Sequence, residues 1–422
     1  MYRISDILFL VYLYIKVKEK GNIVNKSINK KNKIHKSQIS PETMKIIEEN
    51  KSKRNSKSNG NNGKSKKRNS MKRRRRLIIF LVVVLIVLLL GNITLGKLKA
   101  GTFLENNFLV EPETKLDYQQ MDSQYVYVYN LDEKKMTAGK NENKKMYPAS
   151  LTKMMTAIVT IEKAGTRSEL LKTVEIPQYI IAEMNKANAA VAGFAQGEQV
   201  TYLDLLYGLM LPSGGDACLA IADTLFGSES AIVSAMNDKA AALNLKNTHF
   251  VNPIGLHDQD HYSTAEDMEK ILEYGLKNPI FKEIITSEEY VTSKTPFHPQ
   301  GILLKSTVFG KIETTKKIEE EYGTLLENTN RTLSENHKYI KGGKSGYTEE
   351  AQLCLATFGQ IDNKNYIVIT AKAKGDTHGE PFNMYDTLYA YGQIHKAHVE
   401  QKTYINEKLW RRMYFKLFAP EK

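Results

Sequence analysis

The sequence predicts an α+β domain preceded by one membrane-spanning helix. Residues 77–96 form an uncharged and almost wholly apolar run, which is long enough for a helix to cross a bilayer. Residues 124–141 begin with alternating Tyr and Val and continue through a polar turn into a second short run, as in a β-hairpin. Helical patterns follow, and β-rich runs return after Gly342. Strands on both sides of a series of helices are typical of an α+β fold.

A polybasic stretch sets the expected orientation of the membrane-spanning segment, residues 71–96. Five consecutive basic residues, 72–76, precede the apolar run, and few charges follow it. Positive charge is retained on the cytoplasmic side, so we expect a single-pass protein of the cell membrane with its folded domain outside the cytoplasm. A cleaved signal peptide is the alternative. The sequence LGKLKAG at 95–101 contains no clear A-x-A cleavage site, which favours an uncleaved anchor.

The net charge of +13 belongs to the N-terminal segment. Residues 1–76 contain 23 Lys and Arg against 5 Asp and Glu, and the remaining 346 residues contain 37 against 42. A mildly acidic body argues against a nucleic-acid partner. Residues 1–70 are rich in Lys, Asn and Ser and poor in apolar side chains, so we predict a disordered basic segment. Because Met71 with its basic and apolar sequel resembles a secretory start, we hypothesise that the native chain begins there.

Between residues 119 and 399 the pattern predicts one two-part domain, which follows a stalk at 97–118 and precedes a C-terminal tail at 400–422. Its elements are predicted from helical or alternating spacing of apolar residues. The predicted helices are 151–164, 201–226 with a break at 212–215, 228–243, 263–278 and 382–397, and the predicted late strands are 351–360 and 365–375. Residues 291–340 are polar, and their pattern indicates no particular element.

Cys218 and Cys354 lie far apart in the exported part of the chain. A disulfide can form in that compartment, but two distant cysteines are weak support, so we predict two small buried apolar side chains. The C-terminal run at 408–418 mixes basic and aromatic residues. Two interpretations of this run stay open, namely a helix on the membrane surface and a short packed tail.

The segment YPASLTKMMTA places Ser150 and Lys153 three positions apart at the start of an apolar helix. Residues at that spacing lie on the same side of a helix, so the lysine amine can reach the serine hydroxyl. A serine becomes a good nucleophile only when a base removes its proton. Lys153 can serve as that base if burial among neighbours such as Leu151 and Met154 lowers its pKa from about 10.4.

The Ser-x-x-Lys pattern alone is weak, since Ser27 and Lys30 repeat it by chance in the basic segment. Two further motifs strengthen the prediction. The stretch PSGGDA supplies Ser213 in a glycine-rich break between helices, where a hydroxyl can point into a cleft. The stretch KGGKSGYT supplies Lys344 and Ser345 at the head of a strand, where glycines allow the backbone to approach a ligand closely.

In this order, S-x-x-K, S-G-x and K-[ST]-G resemble the signature of the penicillin-binding proteins and serine β-lactamases. The stretches YPASLTKMMTA, LPSGGDA, THFVNPIGLHDQDHYSTAEDM and GGKSGYT resemble the low-molecular-mass D-alanyl-D-alanine carboxypeptidases in particular, over roughly residues 120–395. The resemblance implies a serine β-lactamase/transpeptidase-like fold, in which an antiparallel sheet is flanked by helices and joined by a helical subdomain. It also implies a peptidase that removes the terminal D-alanine of peptidoglycan stem pentapeptides and that β-lactam antibiotics inhibit.

For the catalytic residues the resemblance implies three roles. Ser150 attacks the carbonyl carbon of the penultimate D-Ala and forms an acyl-enzyme, and Lys153 is the general base. Ser213 relays a proton to the departing D-Ala nitrogen, assisted by Lys344. Water then hydrolyses the ester.

The resemblance also implies a set of substrate-binding residues, Lys344 to Tyr347. Ser345 hydrogen-bonds the terminal carboxylate of the substrate, and Lys344 supplies positive charge. Gly346 completes the motif beside them. The backbone N–H groups of Ser150 and Tyr347 form the oxyanion hole, in which each donor can be worth about 3 kcal/mol.

Five polar residues in one loop suggest a metal site as an alternative. They are His249, His257, Asp258, Asp260 and His261. A catalytic zinc ion needs a defined ligand set with one open position, and a loop with three histidines is more often only polar. We expect neither a metal nor another cofactor, because a covalent serine mechanism needs none.

Two positions depart from the family's motifs. Gly215 stands where Asn is usual, and the amide of that Asn contacts the substrate backbone and the catalytic lysine. Ser345 stands where Thr is commoner and keeps the hydroxyl. We expect activity because Ser213 is retained, and Lys374 is a candidate for an additional cation near the substrate carboxylate.

Two alternative functions use the same fold. A class A β-lactamase carries a Glu in an E-x-x-L-N motif for deacylation, and the nearest match, residues 273–278, is one residue too long and lies on a predicted helix. A non-catalytic wall-binding module would not need an intact Ser150 and Lys153. We therefore expect a carboxypeptidase. Many members of the family carry a second, β-rich domain and a C-terminal anchor; about 25 residues follow the last predicted helix, so we expect the N-terminal helix to be the anchor.

Overall fold

The structure is a computed structural model that describes residues 113–322 and 335–418, with side chains up to residue 401. All of these residues belong to one unit of the chain, Asn107–Lys422. The predicted basic segment, the predicted membrane-spanning helix and most of the predicted stalk lie outside the described residues. Those three assignments therefore stay predictions.

Five antiparallel strands form the central sheet. They are β1 (Tyr125–Asn130), β2 (Lys135–Lys140), β7 (Ile340–Gly346), β8 (Leu353–Ile361) and β9 (Lys364–Ala373), in the order β2-β1-β9-β8-β7. Two short ribbons pair β3 (Thr173–Glu175) with β4 (Gln199–Thr201), and β5 (Glu289–Val291) with β6 (Leu303–Lys305). The two predicted hairpins are confirmed as β1–β2 and β8–β9.

The sheet is buried on both faces, and the alternation of its residues explains why. On β9, Ile367 and Ile369 face one apolar core, whereas Tyr366 and Val368 face another. Successive residues of a strand point to opposite faces. Consecutive β-branched and aromatic residues therefore bury both sides, and the sheet separates two layers of helices.

The described residues contain ten α-helices. They are α1 (Lys153–Ala164), α2 (Arg167–Leu170), α3 (Ile180–Lys186), α4 (Tyr202–Met210), α5 (Gly215–Ile221), α6 (Glu229–Ala242), α7 (Ala265–Leu276), α8 (Pro279–Ile285), α9 (Thr307–Tyr322) and α10 (Phe382–Phe418). Helices α1 to α8 contribute to the core on one face of the sheet, and α9 and α10 contribute to the core on the other. The α+β prediction is thus confirmed for the described residues.

Helix α1 lies at the centre of the larger layer. Every residue from Lys153 to Ile161 is buried, which is typical of a helix that is surrounded by other elements. The helix ends at Gly165, whose φ of 76° is left-handed and whose N–H donates to the carbonyl oxygen of Ile161. The C-terminal end agrees with the predicted helix, 151–164, whereas its first two residues belong to a 3₁₀ turn. The helix offers a rigid base for the residues at its start.

Residues 291–340 contain elements that the sequence did not indicate. The end of strand β5, strand β6 and helix α9 lie here, followed by the gap at 323–334 in the described chain. Strands of three residues are too short to produce a visible alternation. Helix α9 combines Val308 and Ile312 on its buried side with many Lys, Glu and Thr elsewhere, so its apolar stripe is narrow.

Helix α10 is longer than predicted. We predicted a helix at 382–397 and a tail from residue 400, whereas α10 continues to Phe418. No proline interrupts residues 382–418, and residues such as Glu, Lys and Leu favour a helix even where no apolar period marks it. The segment predicted as a tail is thus helical as far as Phe418.

Within residues 113–322 and 335–418, no single helix has the length and apolar composition needed to cross a bilayer. Two consecutive helical segments, Gly215–Phe226 and Glu229–Ala242, reach that length and apolar composition only when taken together, and the angle between them is 91°. The start of this pair, helix α5, is buried in the larger helical layer.

Cys218 and Cys354 are free and buried, as predicted. Burial raises the pKa of the Cys218 thiol to about 11 and that of the Cys354 thiol to about 12. Thiols with such pKa values stay protonated at neutral pH. Both cysteines therefore act as small apolar side chains.

A buried carboxyl group gives the domain an expected pH dependence. Glu269 on α7 is 2% exposed, and its Oε1 has no hydrogen-bond partner among the described residues. Burial, aided by the nearby charge of Glu273, raises the pKa of Glu269 to about 8 from an ordinary value of 4.5. The side chain is therefore mostly protonated in the folded protein at pH 7 and ionised in the unfolded chain.

We predict that Glu269→Gln stabilises the protein at pH 8 and changes its stability little at pH 4. In the wild type, unfolding releases a proton between pH 4.5 and about 8, so the folded state loses stability across this window, by an amount on the order of 2–4 kcal/mol. Urea denaturation of the full-length chain, followed by circular dichroism at several pH values, measures the difference. Glu289→Gln, on exposed β5, is the matched control, and a benefit of Glu269→Gln that does not change with pH would contradict the assignment.

Candidate active site

Ser150 lies on a 3₁₀ turn, Ala149–Thr152, that leads directly into α1. The residue before it, Ala149, has a left-handed φ of 47°, a conformation that a residue with a Cβ rarely adopts. Leu151 is fully buried, whereas Ser150 is partly exposed. The turn therefore anchors its apolar side chains in the core and leaves Ser150 partly exposed.

Lys153, the first residue of α1, is only 1% exposed. Its Nζ lies 3.0 Å from Ser150 Oγ and donates to the carbonyl oxygen of Ile254 at 2.7 Å. Burial lowers the pKa of the Lys153 amine, and the carboxylate of Asp216 partly opposes this. A neutral amine can donate one N–H to Ile254 and accept the Ser150 hydroxyl proton with its lone pair. The structure thus brings these two predicted residues together.

The loop that carries Ile254 is shaped by one asparagine. Asn252 Oδ1 accepts hydrogen bonds from the N–H groups of Ile254, Gly255 and Leu256, at 3.1, 2.7 and 3.1 Å. Gly255 has a φ of 90°, and a Cβ there would collide with the carbonyl oxygen of Ala149. The loop therefore presses against the Ser150 turn and directs a carbonyl group at Lys153. Sequence analysis matched the stretch VNPIGL to the family but missed this contact, for which its Asn and Gly were the available signal.

A buried histidine fixes the same loop to the Ser150 turn. His261 Nδ1 accepts the N–H of Val251 at 3.1 Å, so Nε2 carries the proton and donates to Thr152 Oγ1 at 2.7 Å. Burial lowers the pKa of His261 to about 4, which keeps the ring neutral at pH 7. Both ring nitrogens are thus occupied by structural hydrogen bonds.

The loop histidines also bear on the metal alternative. His249 Nδ1 lies 2.6 Å from the carbonyl oxygen of Asp260, and His257 packs edge-on against Tyr147. Within the described part of the chain, no three His, Cys, Asp or Glu side chains are grouped so that they could hold a metal ion. The expectation of a metal-free site stays a prediction.

Ser213 lies in the predicted break between α4 and α5. Its φ is 69°, its exposure is 7%, and its Oγ has no hydrogen-bond partner among the described residues. A buried hydroxyl without a partner is uncommon in a folded protein. Contacts among the described residues therefore leave the hydrogen-bonding capacity of this hydroxyl unused.

Asp216 holds a second loop against the Ser213 break. Its carboxylate is fully buried and accepts hydrogen bonds from the N–H groups of Ala192 and Gly193, at 2.8 and 3.0 Å. These hydrogen bonds fix the position of the carboxylate. Asp216 lies near Lys153 and, with Cys218, partly opposes the effect of burial on the pKa of the Lys153 amine.

Gly215 occupies the position where an Asn was expected, and the structure identifies what fills that space. A Cβ at Gly215 would lie 2.6 Å from Met184 Sδ and 3.4 Å from Ile254 Cγ2. Met184 is buried on α3, so its thioether takes the volume into which an Asn side chain would extend. The contact with Ile254 links this position to the loop that holds Lys153.

Lys344, Ser345 and Gly346 are the last three residues of β7, not the head of a strand as predicted. Lys344 is fully buried, and its Nζ donates to the carbonyl oxygen of Ser345 at 2.8 Å. Burial and the neighbouring Lys153 hold the pKa of Lys344 well below its ordinary value. A Cβ at Gly346 would lie 2.9 Å from the backbone nitrogen of Ser150, so this end of β7 lies directly against the turn.

The remaining predicted residues lie as follows. Tyr347 is partly buried immediately after β7. Ser345 Oγ lies 2.7 Å from Thr307 Oγ1, a contact that sequence analysis missed. Lys374, the predicted additional cation near the substrate carboxylate, forms an ion pair with Asp122 at 2.9 Å. Its charge therefore already has a partner within the protein.

Comparison with known proteins gives a consistent result. The D-alanyl-D-alanine carboxypeptidase family, peptidase family S11, matches residues 112–375. The D-alanyl-D-alanine carboxypeptidase DacF of Bacillus subtilis is 28% identical over 320 residues, which cover 73% of this chain and 72% of that protein. DacA of Escherichia coli, with the same activity in its name, is 37% identical over 249 residues, or 57% of this chain and 55% of that protein.

A solved structure agrees with these matches. The crystal structure of a Streptomyces DD-transpeptidase aligns with a TM-score of 0.54 at 25% identity, and the alignment covers 65% of this chain and 97% of the other. The sequence matches span between about half and three quarters of the two relatives' own lengths. With a family match over most of the described residues, and with serine and lysine in contact at the start of α1, the chain belongs to the D-alanyl-D-alanine carboxypeptidase family.

Proposed function

We propose that this chain is a serine-type carboxypeptidase that removes the terminal D-alanine of peptidoglycan stem pentapeptides. The observation that carries the proposal is the buried Lys153 amine, 3.0 Å from Ser150 Oγ and held from behind by the Ile254 carbonyl. Burial disfavours the charged form of this amine, which suits it to act as the general base. The nucleophile and its base are therefore assembled before substrate binds.

Acylation begins when Ser150 Oγ attacks the carbonyl carbon of the penultimate D-Ala and its proton passes to Lys153 Nζ. Negative charge then develops on the carbonyl oxygen. We assign the N–H groups of Ser150 and Tyr347 to this oxygen, a role supported by the close approach of Gly346 to the Ser150 nitrogen. Preorganised donors of this kind stabilise the transition state without any rearrangement.

The departing D-Ala nitrogen needs a proton when the peptide bond breaks. We assign its delivery to Ser213, whose buried Oγ has no other hydrogen-bond partner among the described residues. Lys344 lies beside Lys153, and repulsion between the two amines favours release of the proton that Lys153 has accepted. The protonated Lys153 returns its proton to Ser213, so that the amine is neutral again. Water then attacks the ester, Lys153 accepts a proton from it and passes that proton to Ser150 Oγ as the ester bond breaks, and the shortened peptide leaves with a free carboxyl group.

Substrate recognition is assigned to the end of β7. Ser345 Oγ donates to the terminal carboxylate. Burial holds the pKa of Lys344 well below its ordinary value in the free protein, and an anion bound beside this amine favours its protonated form. Gly346 leaves room for the substrate backbone because it has no side chain. A Cβ at this position would in addition displace Ser150.

A β-lactamase activity is disfavoured by the position of its nearest deacylation motif. Glu273 lies on α7 and forms an ion pair with Lys277 at 3.0 Å, and its charge acts on Glu269 and Tyr129. No link from this carboxylate to Ser150 follows from these contacts. Penicillin should therefore acylate Ser150 and be released slowly, so β-lactam antibiotics should inhibit the enzyme.

We also propose that residues 71–96 anchor the chain in the cell membrane with the catalytic domain outside the cytoplasm. The proposal is supported by the apolar run of 77–96 and the five basic residues before it. Protease added to intact cells should digest the catalytic domain and leave the N-terminal segment protected. Complete protection of the catalytic domain would contradict this orientation.

Ser150→Ala is expected to abolish both the release of D-alanine from a pentapeptide that ends in D-Ala-D-Ala and stable labelling by penicillin. Its physical reason is the loss of the only atom that forms the ester. Ser27→Ala, in the second Ser-x-x-Lys sequence, is the matched control and should behave like the wild type. Rapid turnover of penicillin by the wild-type chain would support a β-lactamase, and neither reaction would support a wall-binding module.

Lys153→Arg is expected to lower kcat/KM by about 10²–10⁴-fold, since a guanidinium cannot act as a base. In the wild type, kcat/KM should fall as the pH drops through the lowered pKa of Lys153, because protonation removes the lone pair that accepts the Ser150 proton. The pH profile of the full-length chain measures this acidic limb. If Lys153→Arg keeps wild-type activity and the same limb, another base must be acting.

Gly215→Asn is expected to destabilise the protein by about 1–3 kcal/mol, because the new side chain overlaps Met184 Sδ. The double variant Met184→Ala/Gly215→Asn should recover most of that loss and should acylate with penicillin at least as fast as Gly215→Asn alone. Urea denaturation and the rate of penicillin labelling measure both effects. Met184→Ala alone is the control for the cavity that it creates, and additive effects of the two changes would rule out their competition for one volume.

A further inference from the structure

We propose that Thr307 is a positioning residue that sets the preference of this site for substrates with a free terminal carboxylate. The inference rests on the function proposed above, since it concerns how Ser345 meets that carboxylate. Thr307 is the first residue of α9, in the part of the chain for which the sequence indicated no element. Its Oγ1 lies 2.7 Å from Ser345 Oγ.

The chemistry of two adjacent hydroxyls gives this contact a direction when substrate is bound. A serine hydroxyl has one proton to donate and lone pairs to accept. If Ser345 donates its proton to the substrate carboxylate, it cannot donate to Thr307 at the same time. Thr307 must then donate to Ser345 Oγ, and the chain of hydrogen bonds polarises Ser345 toward the anion. Thr307 therefore acts through Ser345 and orients its proton.

The backbone of Thr307 is fixed by a hydrogen bond to the segment that leads to Ser213. Its N–H donates to the carbonyl oxygen of Leu211 at 3.0 Å, two residues before Ser213. Thr307 thus connects the Ser213 break to the end of β7. A hydroxyl held in this way has little freedom to leave Ser345, which favours a defined orientation over a chance contact.

The surrounding charge also suits a carboxylate. Thr307 opens a helix of 16 residues, and the N-terminal end of a helix carries partial positive charge. Thr307 is therefore placed where the end of the helix favours an anion next to Ser345.

The test compares two peptides, one that ends in D-Ala-D-Ala with a free carboxylate and the same peptide as its C-terminal amide. Thr307→Val removes the hydroxyl and keeps the shape, and Thr307→Ser keeps the hydroxyl. We expect Thr307→Val to lower kcat/KM for the free acid about tenfold, mainly through KM, and to leave kcat/KM for the amide unchanged. Thr307→Ser should retain the wild-type ratio of the two.

Thr314→Val is the matched control, because Thr314 is exposed on the same helix and its hydroxyl donates to the carbonyl oxygen of Gly310. It should change neither substrate. An equal loss on both peptides, or an unchanged ratio in Thr307→Val, would overturn the inference while D-alanine release by the wild type still stands. Absence of D-alanine release by the wild-type chain would instead overturn the proposed function.

Discussion

The site depends on keeping the Lys153 amine buried, where its charged form is disfavoured, while it still contacts Ser150. Burying an amine is unfavourable unless polar partners replace water, and here the Ile254 carbonyl and the Ser150 hydroxyl do so. A second buried lysine, Lys344, adds to the cost and makes it harder for either amine to be charged. Burial of the two amines therefore lowers the stability of the domain, and it also favours the neutral form of Lys153 that can accept a proton.

The parts of the fold that could be predicted are those with a local pattern. The β1–β2 and β8–β9 hairpins show alternating side-chain patterns separated by turn residues. Helix α1 has a largely apolar sequence that ends at Gly165. The contact of Ser150 with Lys153 follows from their spacing on one turn. None of these features requires knowledge of which distant segments come together.

The parts that could not be predicted depend on distant segments. Ile254 acts through its carbonyl group, which every residue has, so no side chain identifies it. Thr307 opens a helix whose apolar stripe is too narrow to be recognised. For Gly215 the motif indicates that an amide is missing, but only the packing of α3 reveals that Met184 fills the space.

The position of Ser150 depends partly on two glycines, which have no Cβ atom. Gly255 and Gly346 come from different segments, and each lies so close to the Ser150 turn that a Cβ would displace it. Substitution is therefore restricted at two residues that supply no reacting atom. An alanine at either position would add one carbon atom and move the nucleophile. Steric space next to Ser150 therefore restricts which residues can occupy these two positions.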